Sequence, residues 1–291
     1  METQLITTDH DERARERFVL ALNGWVQAGL AAGSQQVCAK VALPELGIAA
    51  SAPLSGRDRQ ALRRRMEREP LHQYWLAMMQ VWQDLLWRYV GQSVDRQLPV
   101  LIDACRPRPG DRGTLELDPT LQLPRYQAAV DNHSLPGGYH AEVRDDRQGA
   151  IYAQAANAYL LNRTGARHDY RGQTVIAHLL GRWPALATES GAPRRILDLG
   201  CLVGASTLFY FNQSAGAEIH AVDTSAPALR FAHGLAERRG LAVHYHQQDA
   251  EHLAFPHTPG GRRAHHRAGS GLGEAEGRFQ VRVHHEVPLR F

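Results

Sequence analysis

Lysine is almost missing from this sequence: Lys40 stands alone beside 32 arginines, an imbalance that reads as a GC-rich coding bias. Cysteine is scarce as well. Cys38, Cys105 and Cys201 lie 67 and 96 residues apart, so there is neither an even disulfide framework nor a Cys-x-x-Cys metal pair. Free thiols at such distances point to a reducing, cytoplasmic setting. The apolar stretch from Phe18 to Ala32 is too short to span a bilayer. It carries Asn23 and Gln27, and the arginines before it alternate with Asp9, Asp11, Glu12 and Glu16, so a packed amphipathic helix is expected there and not a signal peptide. Lacking too is a charge surplus over most of the chain. Residues 1–256 hold 27 basic and 27 acidic groups, and the whole excess of three comes from six arginines against three glutamates in residues 257–291. A neutral body argues against a nucleic-acid surface.

What is present is a composition of ordinary globular type, 43% hydrophobic and 22% charged over 291 residues, sufficient for one large domain or two of moderate size. Residues 1–105 read as a helical N-terminal region. Leu71, Trp75, Met78, Trp82, Leu85 and Tyr89 recur at helical spacing and predict an apolar stripe on a helix ending near Gly91. Arg63, Arg64 and Arg65 are interleaved with acids nearby, which favours a solvated helix face. Residues 106–138, rich in Pro, Gly and Asp, read as a linker and loop. A second helical stretch is expected from about Asp146 to Trp183.

Residues 194–250 carry the chemistry. Arg195-Ile-Leu-Asp-Leu predicts a strand, Gly200-Cys-Leu-Val-Gly204 a tight turn, and a helix follows from Ala205 or Ser206. A second strand runs from Glu218 to Asp223. Ser225 is placed to cap the next helix, Pro227 lies in its first turn, Gly240 ends it, and Val243 onward forms a third strand ending at Asp249. Strand, helix, strand, helix, strand in this order predicts a parallel, doubly wound nucleotide-binding half. Gly200 and Gly204 let a ligand approach the main chain, and an acid 19 residues after Gly204, Asp223, falls where such folds hold a ribose. There is no Gly-x-Gly-x-x-Gly for a pyrophosphate. Asp198, two residues before the first glycine, would repel phosphates and favour a sulfonium with an α-amino group. The sign of that charge selects S-adenosylmethionine as the ligand.

Ile196-Leu-Asp-Leu-Gly-Cys-Leu-Val-Gly, Ala221-Val-Asp-Thr-Ser and Gln248-Asp-Ala-Glu-His-Leu-Ala-Phe-Pro resemble the first three motifs of class I S-adenosylmethionine-dependent methyltransferases. Pro136-Gly-Gly-Tyr-His and Gly149-Ala-Ile-Tyr resemble the segment before the core in bacterial members with a helical N-terminal region. The resemblance implies an α/β, Rossmann-like core, with residues 139–256 as the cofactor-binding domain. It also implies that Asp198, Gly200, Cys201 and Gly204 line the methionine end, that Asp223 and Thr224 meet the ribose, and that Asp249 with Ala250 reaches the adenine. Leu202 departs from the pattern, which has a small residue there.

Residues 257–291 form an atypical Gly-, Arg- and His-rich tail. Arg278-Phe-Gln-Val-Arg-Val alternates like a fourth strand, and the His285-Glu286 pair after it resembles one that relatives carry. Only 35 residues follow Pro256, too few for three further strands and crossovers. The sheet is therefore expected to be incomplete after the fourth strand, with a reading-frame disturbance between His257 and about Gly277. His244 and His246 share one strand face, and His-Glu-x-x-His is absent, so no metal is expected. The function expected is methyl transfer to a small-molecule acceptor, with His285 and Glu286 as candidates for a general base, Tyr139 and Tyr152 as candidates for pocket walls, and no catalytic residue assigned. The alternative is a truncated remnant that binds the cofactor or a partner without transfer.

Overall fold

The computed structural model describes residues 5–51, 53–123, 145–164, 195–213, 217–255 and 281–284, with isolated positions 125, 135, 174, 175, 177, 178 and 181. It divides into two compact units, one of Thr8–Val90 and one of Met1–Thr7 with Gly91–Phe291. The division falls inside a helix, whereas the composition shifts only at Arg106.

The Thr8–Val90 unit is helical, as expected. Helix α1 (His10–Trp25) opens on a capping box in which Asp9 accepts from the Glu12 amide and Glu12 from the Asp9 amide. Two π-helical turns, Val26–Ala31 and Cys38–Ala42, flank α2 (Ala32–Val37) and lead to α3 (Leu43–Glu45). Val19, Leu20, Val26 and Ala31 are buried, so the apolar stretch is a packed helix. No helix among the described residues is long and apolar enough to cross a membrane. Helix α4 (Gly56–Met66) starts on a Ser55–Asp58 capping box. Among the described residues, two of its five arginines are ion-paired, Arg63 with Glu67 at 2.8 Å and Arg65 with Glu45 at 2.6 Å.

Helix α5 (Pro70–Cys105) corrects one expectation, since it runs through Gly91 and carries Pro99 inside. A Cβ on Gly91 would make only ordinary contacts, 3.6 Å from Arg147 Nη2 and 3.7 Å from Ile151 Cδ1. The helix continues because its apolar period does. Met79, Trp82, Leu86, Val90, Val94, Leu101 and Cys105 form the buried face, rotated by one residue from the anticipated stripe. Leu71, Trp75, Met78, Leu85 and Tyr89 are only half-buried.

The second unit is built on a wholly parallel sheet. Its strands are β1 (Thr114–Glu116), β2 (Arg195–Leu199), β3 (Glu218–Asp223), β4 (Val243–Gln247) and β5 (Val281–His284), in the spatial order β1-β4-β3-β2-β5. Helices α7 (Ala205–Gln213) and α8 (Ala226–Arg238) make the crossovers β2–α7–β3 and β3–α8–β4. Ser225 caps α8, with the Ala228 amide donating to its hydroxyl, and Pro227 sits in the first turn. Gly240 follows the helix at φ +71, the left-handed C-terminal position that glycine favours. One sheet face supplies Ile196, Ile219, Ala221, Val243 and Tyr245 to the main core with Leu208, Leu229 and Ala232. Leu197, Leu199 and Val222 on the other face pack against Ala250, Leu253 and Phe255. Burial of each large aliphatic side chain here contributes about 1.5–3 kcal/mol.

Two strands lie outside the Rossmann-like half foreseen above. β5, from the atypical tail, pairs in register with β2 from Ile196↔Val281 to Leu199↔His284. It takes the place expected for the fourth strand, although 278–280 lie outside the described residues. β1 arises within 106–138, which therefore is not purely a linker and loop. It adds to the edge of β4 from Thr114↔His244 to Glu116↔His246. The approach is so close that a Cβ on Gly113 would stand 2.0 Å from the Val243 carbonyl oxygen. Glu237 of α8 accepts from the amides of Arg112 at 2.9 Å and Gly113 at 2.7 Å, which pins the strand's entry.

Helix α6 (Arg147–Thr164) packs on α8, and Gly149 lies against Pro227, Ala228 and Phe231. Asp146 at its start is only 3% exposed. Burial pushes its carboxyl up to about 6, Arg230 opposes the rise and Asp145 adds to it. A carboxyl raised on folding stabilises most below its unfolded pKa, and that contribution fades as pH climbs toward 6. Asp146→Asn is accordingly expected to match the parent at pH 4 and to exceed it at pH 7.5 by up to about 2 kcal/mol. Urea unfolding at the two pH values checks this, and equal differences at both would refute it.

Candidate functional site

The carboxyl ends of β2, β3 and β4 meet in one rim. The amides of Gly200 and Cys201 both donate to the Val222 carbonyl, at 2.8 and 3.1 Å, and the Gln248 amide donates to the Asp223 carbonyl at 3.1 Å. Gln247 Nε2 donates to the Thr224 carbonyl at 3.0 Å. Strand order reverses at β2, since the chain moves from β2 to β3 and β4 on one side and returns to β5 on the other. Ligands of open parallel sheets bind outside the carboxyl ends at such a reversal.

The turn after β2 owes its shape to three left-handed residues, Gly200 at φ +74, Leu202 at φ +47 and Gly204 at φ +72. Gly204 closes a turn by donating to the Cys201 carbonyl at 2.9 Å, and its own carbonyl starts α7 by accepting from Leu208. A Cβ there would stand 2.7 Å from the Tyr245 hydroxyl and 3.4 Å from Ala232 Cβ. That hydroxyl is buried with no hydrogen-bond partner among the described residues, so the glycine turn rests on a phenol floor supplied by β4. Leu202, where the motif this turn resembles has a small residue, holds a left-handed conformation at φ +47 that costs a non-glycine residue about 1–2 kcal/mol. Asp223 offsets it, because the Leu202 amide donates to Asp223 Oδ2 at 2.8 Å.

Asp223 is the hub of the rim. Its Oδ1 accepts from the Ser225 amide at 2.9 Å. Burial pushes its carboxyl above the usual range, backbone donors from Ser225, Leu202 and Thr224 pull it down, and the Asp198 charge adds to the rise. A carboxylate has about four lone-pair sites, so capacity for a ligand hydroxyl remains beside these donors. Asp198 is fully buried at the end of β2 and accepts from Thr207 Oγ1 in the first turn of α7 at 2.5 Å. Burial raises the Cys201 thiol far above its usual range, and both Asp223 and Asp198 add to the rise. Two carboxyls, Asp198 and Asp223, thus stand at the ends of β2 and β3, and whichever is ionised attracts a cation and repels a phosphate.

Asp249 lies on the loop after β4, where Oδ1 accepts from the Glu251 amide at 2.9 Å and Oδ2 pairs with His252 at 2.8 Å. Ala250 packs beneath the rim on Leu197, Leu199 and Val222. Asp198, Gly200, Cys201, Gly204, Asp223 and Thr224 thereby come together at the ends of β2 and β3, with Asp249 and Ala250 on the neighbouring loop. Thr207 and Tyr245 escape motif reading. The signal for Tyr245 is the alternation of β4, which puts it on the same face as Val243, toward the turn. Tyr152 is half-buried in α6, and Tyr139, His285 and Glu286 lie outside the described residues.

Residues 196–259 match a family model described as a methyltransferase domain. Over 78 residues the chain is 38% identical to the demethylmenaquinone methyltransferase of Thermus thermophilus, a match covering 26% of this chain and 36% of that relative. The chain thus spans about a third of the length of the curated relative it matches.

Proposed function

With a methyltransferase domain at residues 196–259 as the premise, we propose that the chain binds S-adenosylmethionine on the rim of β2, β3 and β4 and transfers its methyl group to a small-molecule acceptor. The observation that carries this reading is the Asp223 carboxylate, half-buried, held against the left-handed turn of Gly200 to Gly204, with the fully buried acid Asp198 at the end of the neighbouring strand. When bound, the sulfonium supplies an electrophilic methyl group. The chain's residues have positional tasks. Asp198 sets a negative field at the methionine end, Gly200 and Gly204 admit the ligand to the main chain, and Asp223 with Thr224 receives the ribose hydroxyls. Asp249 and Ala250 border the adenine.

Orientation and exclusion of water account for most of the acceleration such a transfer needs from its protein. The absence of a charge surplus over residues 1–256 supports a small acceptor, and the three free cysteines support a cytoplasmic setting. Titration calorimetry with S-adenosylhomocysteine is expected to give saturable one-site binding. No heat at millimolar ligand overturns the cofactor reading. Binding without transfer to any acceptor tried, demethylmenaquinone included, favours a binding protein over an enzyme.

A further inference from the structure

Away from the rim, one sheet face carries a row of imidazoles that methyl transfer leaves unused. His220 of β3 and His246 of β4 stack at 5.2 Å, and His220 Nδ1 lies 3.0 Å from His246 Nε2. The outer nitrogens of the pair end on carboxylates. His220 Nε2 is 2.9 Å from Glu218 Oε1, and His246 Nδ1 is 2.9 Å from Glu116 Oε2 on the edge strand β1. Around this chain stand Arg195 of β2, which donates to the second Glu218 oxygen at 2.8 Å, and His244, whose ring is 5.1 Å from that of His220. His244 Nδ1 lies 3.1 Å from Thr114 Oγ1. Phe255 closes over both rings edge-on, at 5.5 and 5.1 Å. Among the described residues no group of three or more His, Cys, Asp or Glu is placed to hold a metal ion, so hydrogen bonds organise the row.

Counting hydrogens decides its protonation. Three successive contacts, carboxylate to ring, ring to ring and ring to carboxylate, need three hydrogens, and two neutral imidazoles bring two. With two hydrogens, one contact sets lone pair against lone pair. With four, two N–H groups face each other at the 3.0 Å ring-to-ring contact. Three is the number that satisfies every contact.

We propose that Glu218, His220, His246 and Glu116 form one proton-sharing chain that holds a single extra proton between the two rings and thereby fastens β1 to the sheet. The hydrogen bond from His220, with help from Arg195, keeps the Glu218 carboxyl below its usual range, so the proton rests on the rings. Burial pulls the His220 imidazole down, Glu218 works against that, and His246 and His244 reinforce it, which opposes a second proton. Coupled sites of this kind titrate as a pair. The shared proton, held between two carboxylates 2.9 Å from the outer ring nitrogens, fastens the strand while it is bound, and that stabilisation disappears as pH rises through the step at which it leaves. Acid strong enough to force in the second proton loosens the strand again.

The experiment is an NMR titration of the full chain labelled with 15N on its histidine rings, from pH 4.5 to 9. His220 and His246 are assigned by loss of signal in His220→Gln and His246→Gln. The two rings are expected to move together in one step worth one proton. In Glu116→Gln, a change at a side chain 67% exposed, that step moves to lower pH. Amide exchange protection over Thr114–Glu116, corrected for intrinsic rates, then falls at least about tenfold at neutral pH. Thr114→Val leaves the step where it was. Two independent steps of one proton each near pH 6.5, or a step unmoved by Glu116→Gln, would overturn the proposal. A shift of equal size in Thr114→Val would assign the proton to His244 and overturn it as well.

Discussion

Asp223→Ala is expected to abolish detectable S-adenosylhomocysteine binding while the chain still folds. Two losses combine. The ligand forfeits charge-assisted hydrogen bonds to its ribose, worth about 1.5–3 kcal/mol each. The turn forfeits the acceptor for the Leu202 and Ser225 amides, now at 2.8 and 2.9 Å, and Leu202 no longer has compensation for its left-handed backbone. An affinity loss of at least about 100-fold follows from roughly 3 kcal/mol. Asp223→Asn keeps one acceptor oxygen and a weaker dipole, so it should lose about tenfold. Calorimetry with circular dichroism on the same samples is the check. Affinity within threefold of the parent in Asp223→Ala would remove the ribose assignment.

The second large effect concerns packing. A Cβ at Gly149 would stand 2.6 Å from the Pro227 carbonyl oxygen, 2.8 Å from Phe231 Cβ and 3.0 Å from Ala228 Cα. These are backbone and Cβ atoms without rotamer freedom, so Gly149→Ala must push α6 off α8. Overpacking of this kind costs about 1–3 kcal/mol, and the melting temperature is expected to fall by roughly 4–10 °C. Helix propensity alone would act the other way, favouring alanine by about 1 kcal/mol. Gly91→Ala in α5 provides the control, because its Cβ meets only ordinary contacts at 3.6 and 3.7 Å. That variant should be as stable as the parent or more so. If Gly149→Ala also stabilises, the close α6–α8 contact is wrong.

The β2–α7–β3–α8–β4 half could be read from sequence because every signal there agrees: apolar strands, glycine at the left-handed turns, Ser225 and Pro227 at the helix start, Gly240 at its end. Agreement of that kind is missing for β1. Thr114–Glu116 is three residues long and mostly exposed, and what builds it is remote: the bare Cα of Gly113 against Val243, and Glu237 reaching from α8 to two amides. Gly91 misleads for the opposite reason. Glycine favours helix ends, yet the buried period through Val90, Val94 and Leu101 outweighs its propensity. In the site, motif residues mark the rim, but their partners Thr207 and Tyr245 are set by tertiary placement. The imidazole chain needed the register of three strands before any histidine in it acquired a neighbour.

That register also has a bearing on the order of assembly. β2, β3 and β4 are joined by crossovers of a single helix each, so their pairings close over short stretches of chain. β1 must find β4 across 130 residues, as Thr114↔His244 shows, and β5 must reach β2 across 85, as Ile196↔Val281 shows. Distant pairings pay their loop entropy before any contact rewards it. The central strands are therefore the template during folding. The two outer strands are latecomers, and a chain released early from synthesis or chaperone would present β4 and β2 as open edges for as long as those latecomers are delayed.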